Sequence, residues 1–287
     1  MPSLAEVKQP FKLLRWQLRR AKAAQRWGAA QLERMPVVIG NALPKSGSHL
    51  LIQILLGLAR LGPFVDPGMP PLNRSAANRN VPEEQILSNL GHLKPGDIAY
   101  CYLHARQPYF DELARSGRAA FFIYRDPRDV IVSQVFYATE IHKGHGMHNY
   151  YANKLSTMEE RLNAAIQGVQ VPGAQLSSIR AKYDRYIDWL DQPDVLGLRF
   201  EDLVLDRAAA LGHILDHLAA RGFQPQPPRP QAIAALETAI APGASGTFRR
   251  GQPGEWRQHF TAENTRNFKR ATGDLLQRLG YEKENQW

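Results

Sequence analysis

At 287 residues the chain is long enough to bury a full core without covalent staples, and its charged (22%) and apolar (44%) fractions exclude wholesale disorder. A single cysteine, Cys101, excludes an internal disulfide and fits a reducing compartment, so a cytoplasmic location is expected. The net charge of +9 favours anionic partners, and most of the excess lies in residues 1 to 34, where Lys8, Lys12, Arg15, Arg19, Arg20, Lys22, Arg26 and Arg34 are offset only by Glu6 and Glu33.

That basic leader carries no apolar run long enough for a signal-peptide core or a membrane span. Leu4, Val7, Phe11, Leu14 and Leu18 fall on one face of a helix, with the cations around the rest. Two readings follow. The helix packs on the domain with its charges in water, which we favour, or it lies peripherally on an anionic membrane surface or polyanion. Residues 1 to 34 therefore read as a helical extension, and residues 35 to 287 as a single domain.

Val37, Val38 and Ile39 form a short β-branched run of the kind used by a buried parallel strand. Pro44-Lys45-Ser46-Gly47-Ser48 then makes a tight polar turn, after which Leu50, Leu51, Ile54, Leu55 and Leu58 recur at helical spacing. A strand–loop–helix unit of this kind aims backbone N–H groups and a helix dipole at one spot, where an anion can sit. Lys45 supplies a cation there, and Ser46, Ser48 and His49 supply donors. The lysine precedes the glycine, so the loop is not of the G-x-x-x-x-G-K-[ST] form.

Residues 63 to 80 read as an irregular surface loop and Pro82 to Leu90 as a short helix. Ile98 to His104 reads as a second strand, with Tyr100, Tyr102 and His104 on one face. Phe121 to Tyr124 is a compact apolar strand that ends at Arg125. Asp126 and Pro127 then suit the N-cap and first position of a helix that carries Ser133 two turns on. Arg125 offers a planar fork suited to phosphate. Residues 142 to 153, with His142, His145 and His148, read as a mobile substrate loop rather than a metal tract. Thr157-x-x-Glu160 is a capping box, Ala174 to Leu190 a helix, and Val195 to Phe200 a further strand leading to Glu201-Asp202-Leu203. After a proline-rich connector at 225 to 230 comes a cationic loop, 243 to 261, with Arg249 and Arg250 placed to close over a dianion; a helix from about Ala262 to Leu279 ends the fold at Gly280.

Four of these segments, in order, resemble the sulfotransferases that use 3′-phosphoadenosine 5′-phosphosulfate (PAPS). Pro44-Lys45-Ser46-Gly47-Ser48-His49-Leu50 is similar to their 5′-phosphosulfate loop, and Tyr124-Arg125-Asp126-Pro127-Arg128-Asp129 with Ser133 to their 3′-phosphate motif. Phe200-Glu201-Asp202-Leu203 resembles their YEDL strand end, and Phe248-Arg249-Arg250-Gly251 with Gly254-Glu255-Trp256 their RKGxxGDW loop. The resemblance implies an α/β fold, a P-loop-like central parallel sheet flanked by helices. It implies PAPS as co-substrate without a metal, and a small-molecule, lipid or carbohydrate acceptor rather than nucleic acid. Lys45 would stabilise the departing nucleotide, Ser46, Gly47, Ser48 and His49 would line the 5′ end, Phe200 would face the cofactor, and Arg125, Ser133, Arg249, Arg250 and Gly251 would hold the 3′-phosphate.

Two departures stand out. The family's K-T-H-L-P strand corresponds to Tyr100-Cys101-Tyr102-Leu103-His104, and an ungapped match puts Tyr102 at the base position. We assign His104 as the base, because an imidazole titrates near neutrality while a phenol has a pKa of about 10, with Tyr102 and His92 as alternatives. Phe200 replaces a tyrosine. Two other functions stay open: a nucleotide or small-molecule kinase on the same sheet, and a non-catalytic basic module that binds anions.

Overall fold

The computed structural model of the chain describes residues 9–75, 77–244 and 249–287. Its backbone divides into two compact units, Met1–Tyr124 with Trp189–Ala244, and Arg125–Asp188 with Ser245–Trp287.

The first unit is built on a four-stranded parallel sheet. Strands β1 (Val37–Ala42), β2 (Ile98–Cys101), β3 (Arg118–Tyr124) and β4 (Val195–Arg199) lie in the order β2-β1-β3-β4, with Gly40 opposite Tyr100 and Phe121. All six residues of β1 are buried, as expected of a central strand covered on both faces. Helix α1 (Gln9–Trp27) precedes the sheet, and helix α2 (Ser48–Gly57) follows β1 and packs back onto it. The approach is close at Gly40. A Cβ there would lie 2.8 Å from Leu55 Cδ1, so any larger residue would push the helix off the strand. Val38, Leu51, Ile54, Leu55, Phe121 and Ile123 are fully buried in the resulting core, and each such apolar side chain contributes about 1.5–3 kcal/mol by leaving water.

Helix α1 packs on its unit through a face other than the leucine stripe, and two of its cations, expected in water, are paired there with carboxylates. Trp16 is buried and its indole N–H donates to Asp97 Oδ1 at 3.0 Å, while Arg20 donates to the same oxygen at 3.0 Å. Leu14 and Leu18 are exposed, 53% and 54%. Leu4 and Val7 lie outside the described residues. Among the described residues no helix is long and apolar enough to cross a membrane.

The second unit contains helix α3 (Pro127–Phe136), the helix Met158–Gln167 with its Thr157–Glu160 capping box, and the helix Ala262–Thr272. Three expectations need correction here. The segment 174 to 190 is not one helix: Pro172-Gly173, with Gly173 at φ 79°, turns an antiparallel hairpin of Val169–Val171 and Ala174–Leu176, and Ser178 caps a new helix, Ile179–Asp184. The segment 142 to 153 is a loop only in its first half: it follows a π-helix at Tyr137–Ile141, and from His148 it enters the helix His148–Lys154; the His148 ring nitrogen Nδ1 lies 2.8 Å from Ala138 O. The last helix is broken at Gly273, whose φ of 57° a β-carbon disfavours, and resumes at Leu275–Arg278.

Candidate active site

The turn after β1 has the backbone of an anion cradle. Leu43 N–H donates to Ile123 O at 3.1 Å and Ser46 N–H to Leu43 O at 3.1 Å, which folds the turn against the carboxyl edge of the sheet. Lys45 is a non-glycine residue at φ 75°, an uncommon conformation held here by its neighbours. Gly47, at φ 92°, caps α2 without any side-chain bond, so the first N–H groups of the helix keep no intrahelical acceptor. Glycine is required there twice over, because a Cβ would also come within 2.5 Å of Phe200 Cδ2. Phe200 is buried as the first residue of the helix Phe200–Leu205, where its ring backs the turn from behind.

Ser46 is buried, and its hydroxyl oxygen has no hydrogen-bond partner among the described residues. A buried hydroxyl left unpaired costs about 1–3 kcal/mol. A ligand oxygen arriving at this turn would remove that cost. His49 lies close to Lys45, and burial, followed by the lysine's charge, holds its pKa below the ordinary value. Its ring is therefore a neutral hydrogen-bonding group at pH 7.

The expected strand 98 to 104 ends at Cys101. Beyond it, side chains take over from the sheet ladder. Asn41, fully buried at the end of β1, accepts from Leu103 N–H at 2.8 Å and donates to Leu103 O at 3.0 Å. Asn73 does the same for Tyr102, accepting from its N–H at 3.1 Å and donating to its carbonyl at 3.2 Å, while Trp189 Nε1 donates to Leu103 O at 2.8 Å. Tyr102 and His104 thus stand on an extension pinned by two asparagines, not on a strand face. The Tyr102 hydroxyl donates to Ser48 Oγ at 3.1 Å and so joins this extension to the lysine turn. His104 is partly buried two residues on. His92 is exposed at the carboxyl end of the helix Glu83–Gly91, its Nδ1 2.6 Å from Ser88 O; it precedes the amino end of β2, whereas the lysine turn leaves from the carboxyl end of β1.

In the second unit, Arg125 follows the last residue of β3. Asp126 caps α3 through Arg128 N–H at 2.9 Å with Pro127 at the first position, as the sequence predicts. The Arg125 guanidinium is buried and donates to Gln252 O at 2.9 Å and Asp129 Oδ2 at 3.3 Å. Asp129, fully buried, accepts from Gly254 N–H at 2.8 Å and Trp256 N–H at 2.9 Å, fastening the glycine-rich segment beside Arg125. Arg249 pairs with Glu255 and lies 3.9 Å from the centroid of the Phe136 ring, and Arg250, exposed, reaches the other Glu255 oxygen at 3.4 Å. Gly251 turns the segment at φ 62°. Ser133 is partly buried two turns along α3; its carbonyl accepts from Tyr137 N–H, and its hydroxyl has no hydrogen-bond partner among the described residues. Phe248 lies outside the described residues.

Arg128 is a structural residue: it pairs with Asp126 and Glu282 at 2.7 Å each and sits between the rings of Trp256 and Trp287. Sequence reasoning missed the positioning roles of Asn41, Asn73 and Asp129. One signal was there to find, a lone asparagine at the end of the apolar run that forms β1.

No protein-family model matches the chain, and comparison with curated proteins gives no match. Solved structures do match. Mouse sulfotransferase SULT7A1 complexed with PAP superposes with a TM-score of 0.60 over 90% of this chain and 92% of that one, at 14% identity. Retinol dehydratase in complex with androsterone and the inactive cofactor PAP matches with a TM-score of 0.56 over 90% and 85%, at 16% identity. The same enzyme in a complex with retinol and PAP matches with 0.56 over 86% and 84%, also at 16%. The chain therefore has the sulfotransferase fold, a central parallel sheet flanked by helices.

Proposed function

We propose that the chain is a sulfotransferase that moves a sulfuryl group from PAPS to a hydroxyl or amine of an acceptor. The observation that carries this reading is the turn at Lys45-Ser46-Gly47. It has a left-handed lysine, a buried unpaired Ser46 hydroxyl and an uncapped helix start, in a fold whose solved examples hold PAP.

Each residue takes a role that its surroundings suit. Lys45 neutralises the charge that builds on the bridging oxygen as the S–O bond to the nucleotide breaks. Ser46, Gly47, Ser48 and neutral His49 supply hydrogen bonds around the 5′ end, with Phe200 holding the turn's shape. Arg125, already aimed by Asp129, takes the 3′-phosphate together with Ser133, Arg249, Arg250 and Gly251. His104 accepts the acceptor's proton as its oxygen or nitrogen attacks sulfur in line, and positioning supplies much of the acceleration. Androsterone and retinol in two of the similar structures favour an acceptor of small-molecule or lipid type, and a carbohydrate acceptor stays within the reading.

Donor assays separate this function from a kinase. Transfer from PAPS and none from ATP is expected, with Lys45→Ala slowing transfer by about 10³-fold. Calorimetry with PAP separates it from a general anion-binding module, whose affinity falls steeply with salt. Binding that is tight and salt-tolerant is expected, and transfer from ATP alone overturns the assignment.

A further inference from the structure

Helix α1 is held to its own unit by one face and leaves a differently composed face in solvent. Trp16 and the partly buried Ala23 and Ala24 pack with Leu32, Val65 and Met69. Two of the helix's cations are used on this side: Arg19 pairs with Asp66 at 2.9 Å, and Arg20 with Asp97 at 3.0 Å and Glu33 at 3.2 Å. Turning the helix by half a revolution brings up Leu14, Leu18 and Ala21, which share a face at spacings of four and three and are all exposed. Beside them stand Arg15 and Lys22, exposed and without an ion pair among the described residues, and Arg26, whose guanidinium lies 4.6 Å from the centroid of the Trp27 ring.

Leu14 and Leu18 take no part in the packing of α1 on its own unit. Two leucines more than half exposed on one face of a helix, beside cations that no carboxylate among the described residues neutralises, match in shape and charge a surface that is apolar below and anionic above. We infer that this face is a docking surface for an anionic lipid bilayer, on which α1 lies in the interfacial plane with Leu14 and Leu18 entering the acyl boundary and Arg15, Lys22 and Arg26 meeting lipid phosphates. The buried Trp16–Asp97 bond fixes which face points outward, so the surface is present before any contact with lipid. This inference stands apart from the reaction chemistry and survives or fails independently of it.

The test uses the full chain and sucrose-loaded vesicles, either phosphatidylcholine alone or with about 30 mol% phosphatidylserine. Co-sedimentation is expected only with the anionic vesicles, weakening as salt rises, because exposed charges are screened. The double substitution Leu14→Gln/Leu18→Gln is expected to lower partitioning at least about tenfold, and Arg15→Glu/Lys22→Glu to remove it, both with unchanged far-ultraviolet circular dichroism and melting. Absence of binding by the natural chain overturns the inference, as does equal binding to neutral vesicles. So does partitioning that the leucine substitutions leave untouched, which points to a general polyanion site. A concentration-dependent dimer in analytical ultracentrifugation, lost in the leucine variant, overturns it as well, because a second copy then covers the stripe.

Discussion

The hydroxyl of Tyr102 donates a 3.1 Å hydrogen bond to Ser48 Oγ, and that bond joins the extension of β2 to the first turn of α2. Tyr102 occupies the position where the resemblance expects a histidine, yet its phenol is tied to the lysine turn. His104, two residues on, is the base in the proposed mechanism. The two residues make separable predictions. His104→Ala lowers kcat by about 10²–10⁴-fold with PAP affinity unchanged. Tyr102→Phe loosens the turn and weakens PAP several-fold, about one net hydrogen bond, with a smaller effect on kcat. Steady-state kinetics with calorimetry on both variants decides the matter, and a silent His104→Ala beside a dead Tyr102→Phe transfers the base to the tyrosine.

Asn41 replaces two ladder bonds of a strand that has stopped pairing. Asn41→Leu fits the buried space but leaves the Leu103 N–H unsatisfied, and a loss of about 2–4 kcal/mol is expected in urea unfolding. A loss below about 0.5 kcal/mol, the ordinary range for exposed sites, means that water or a shifted backbone restores those bonds.

Asp129 gathers two backbone N–H groups and the Arg125 guanidinium around one buried carboxylate. Asp129→Ala unfastens the segment from Gly254 to Trp256 and frees Arg125 from its aim. PAP affinity is expected to fall at least about tenfold and stability by about 3 kcal/mol. Unchanged calorimetric affinity removes the segment from the nucleotide site.

His217 packs against Phe121, and its Nδ1 lies 3.1 Å from Arg221 Nη1. Burial and then the Arg221 charge push its pKa down to about 4. The unfolded chain binds this proton near pH 6.5, so stability is at its full value above that pH, declines as pH falls toward 4, and levels off below. After discounting for partial exposure the loss is about 2 kcal/mol, and His49 adds to it in the same direction. His217→Gln is expected to flatten the decline between pH 6.5 and 4.5 in denaturant titrations. An unchanged slope assigns the acid sensitivity elsewhere.

Much of the site's local chemistry was legible in the sequence, because it depends on residues within a few positions of one another. The strand–turn–helix unit around Lys45, the Asp126–Pro127 helix start and the Thr157–Glu160 capping box all follow from short-range hydrogen bonding and backbone sterics. Gly173 and Gly273 carry equally local signals that the helical reading of their segments overrode.

The tertiary structure alone decided what long-range partners control. Strand β2 stops at Cys101 because Asn41, Asn73 and Trp189, up to 86 residues away, supply the bonds that a neighbouring strand would have supplied. Periodicity marks which faces of α1 are apolar, but it cannot rank them. Asp97 accepts from the indole of Trp16, and that buried bond, with the ion pairs of Arg19 and Arg20 on the same side, turns the leucines outward. A pattern of residue types sets what an element can bury; which face it buries depends on the partner the fold brings to it.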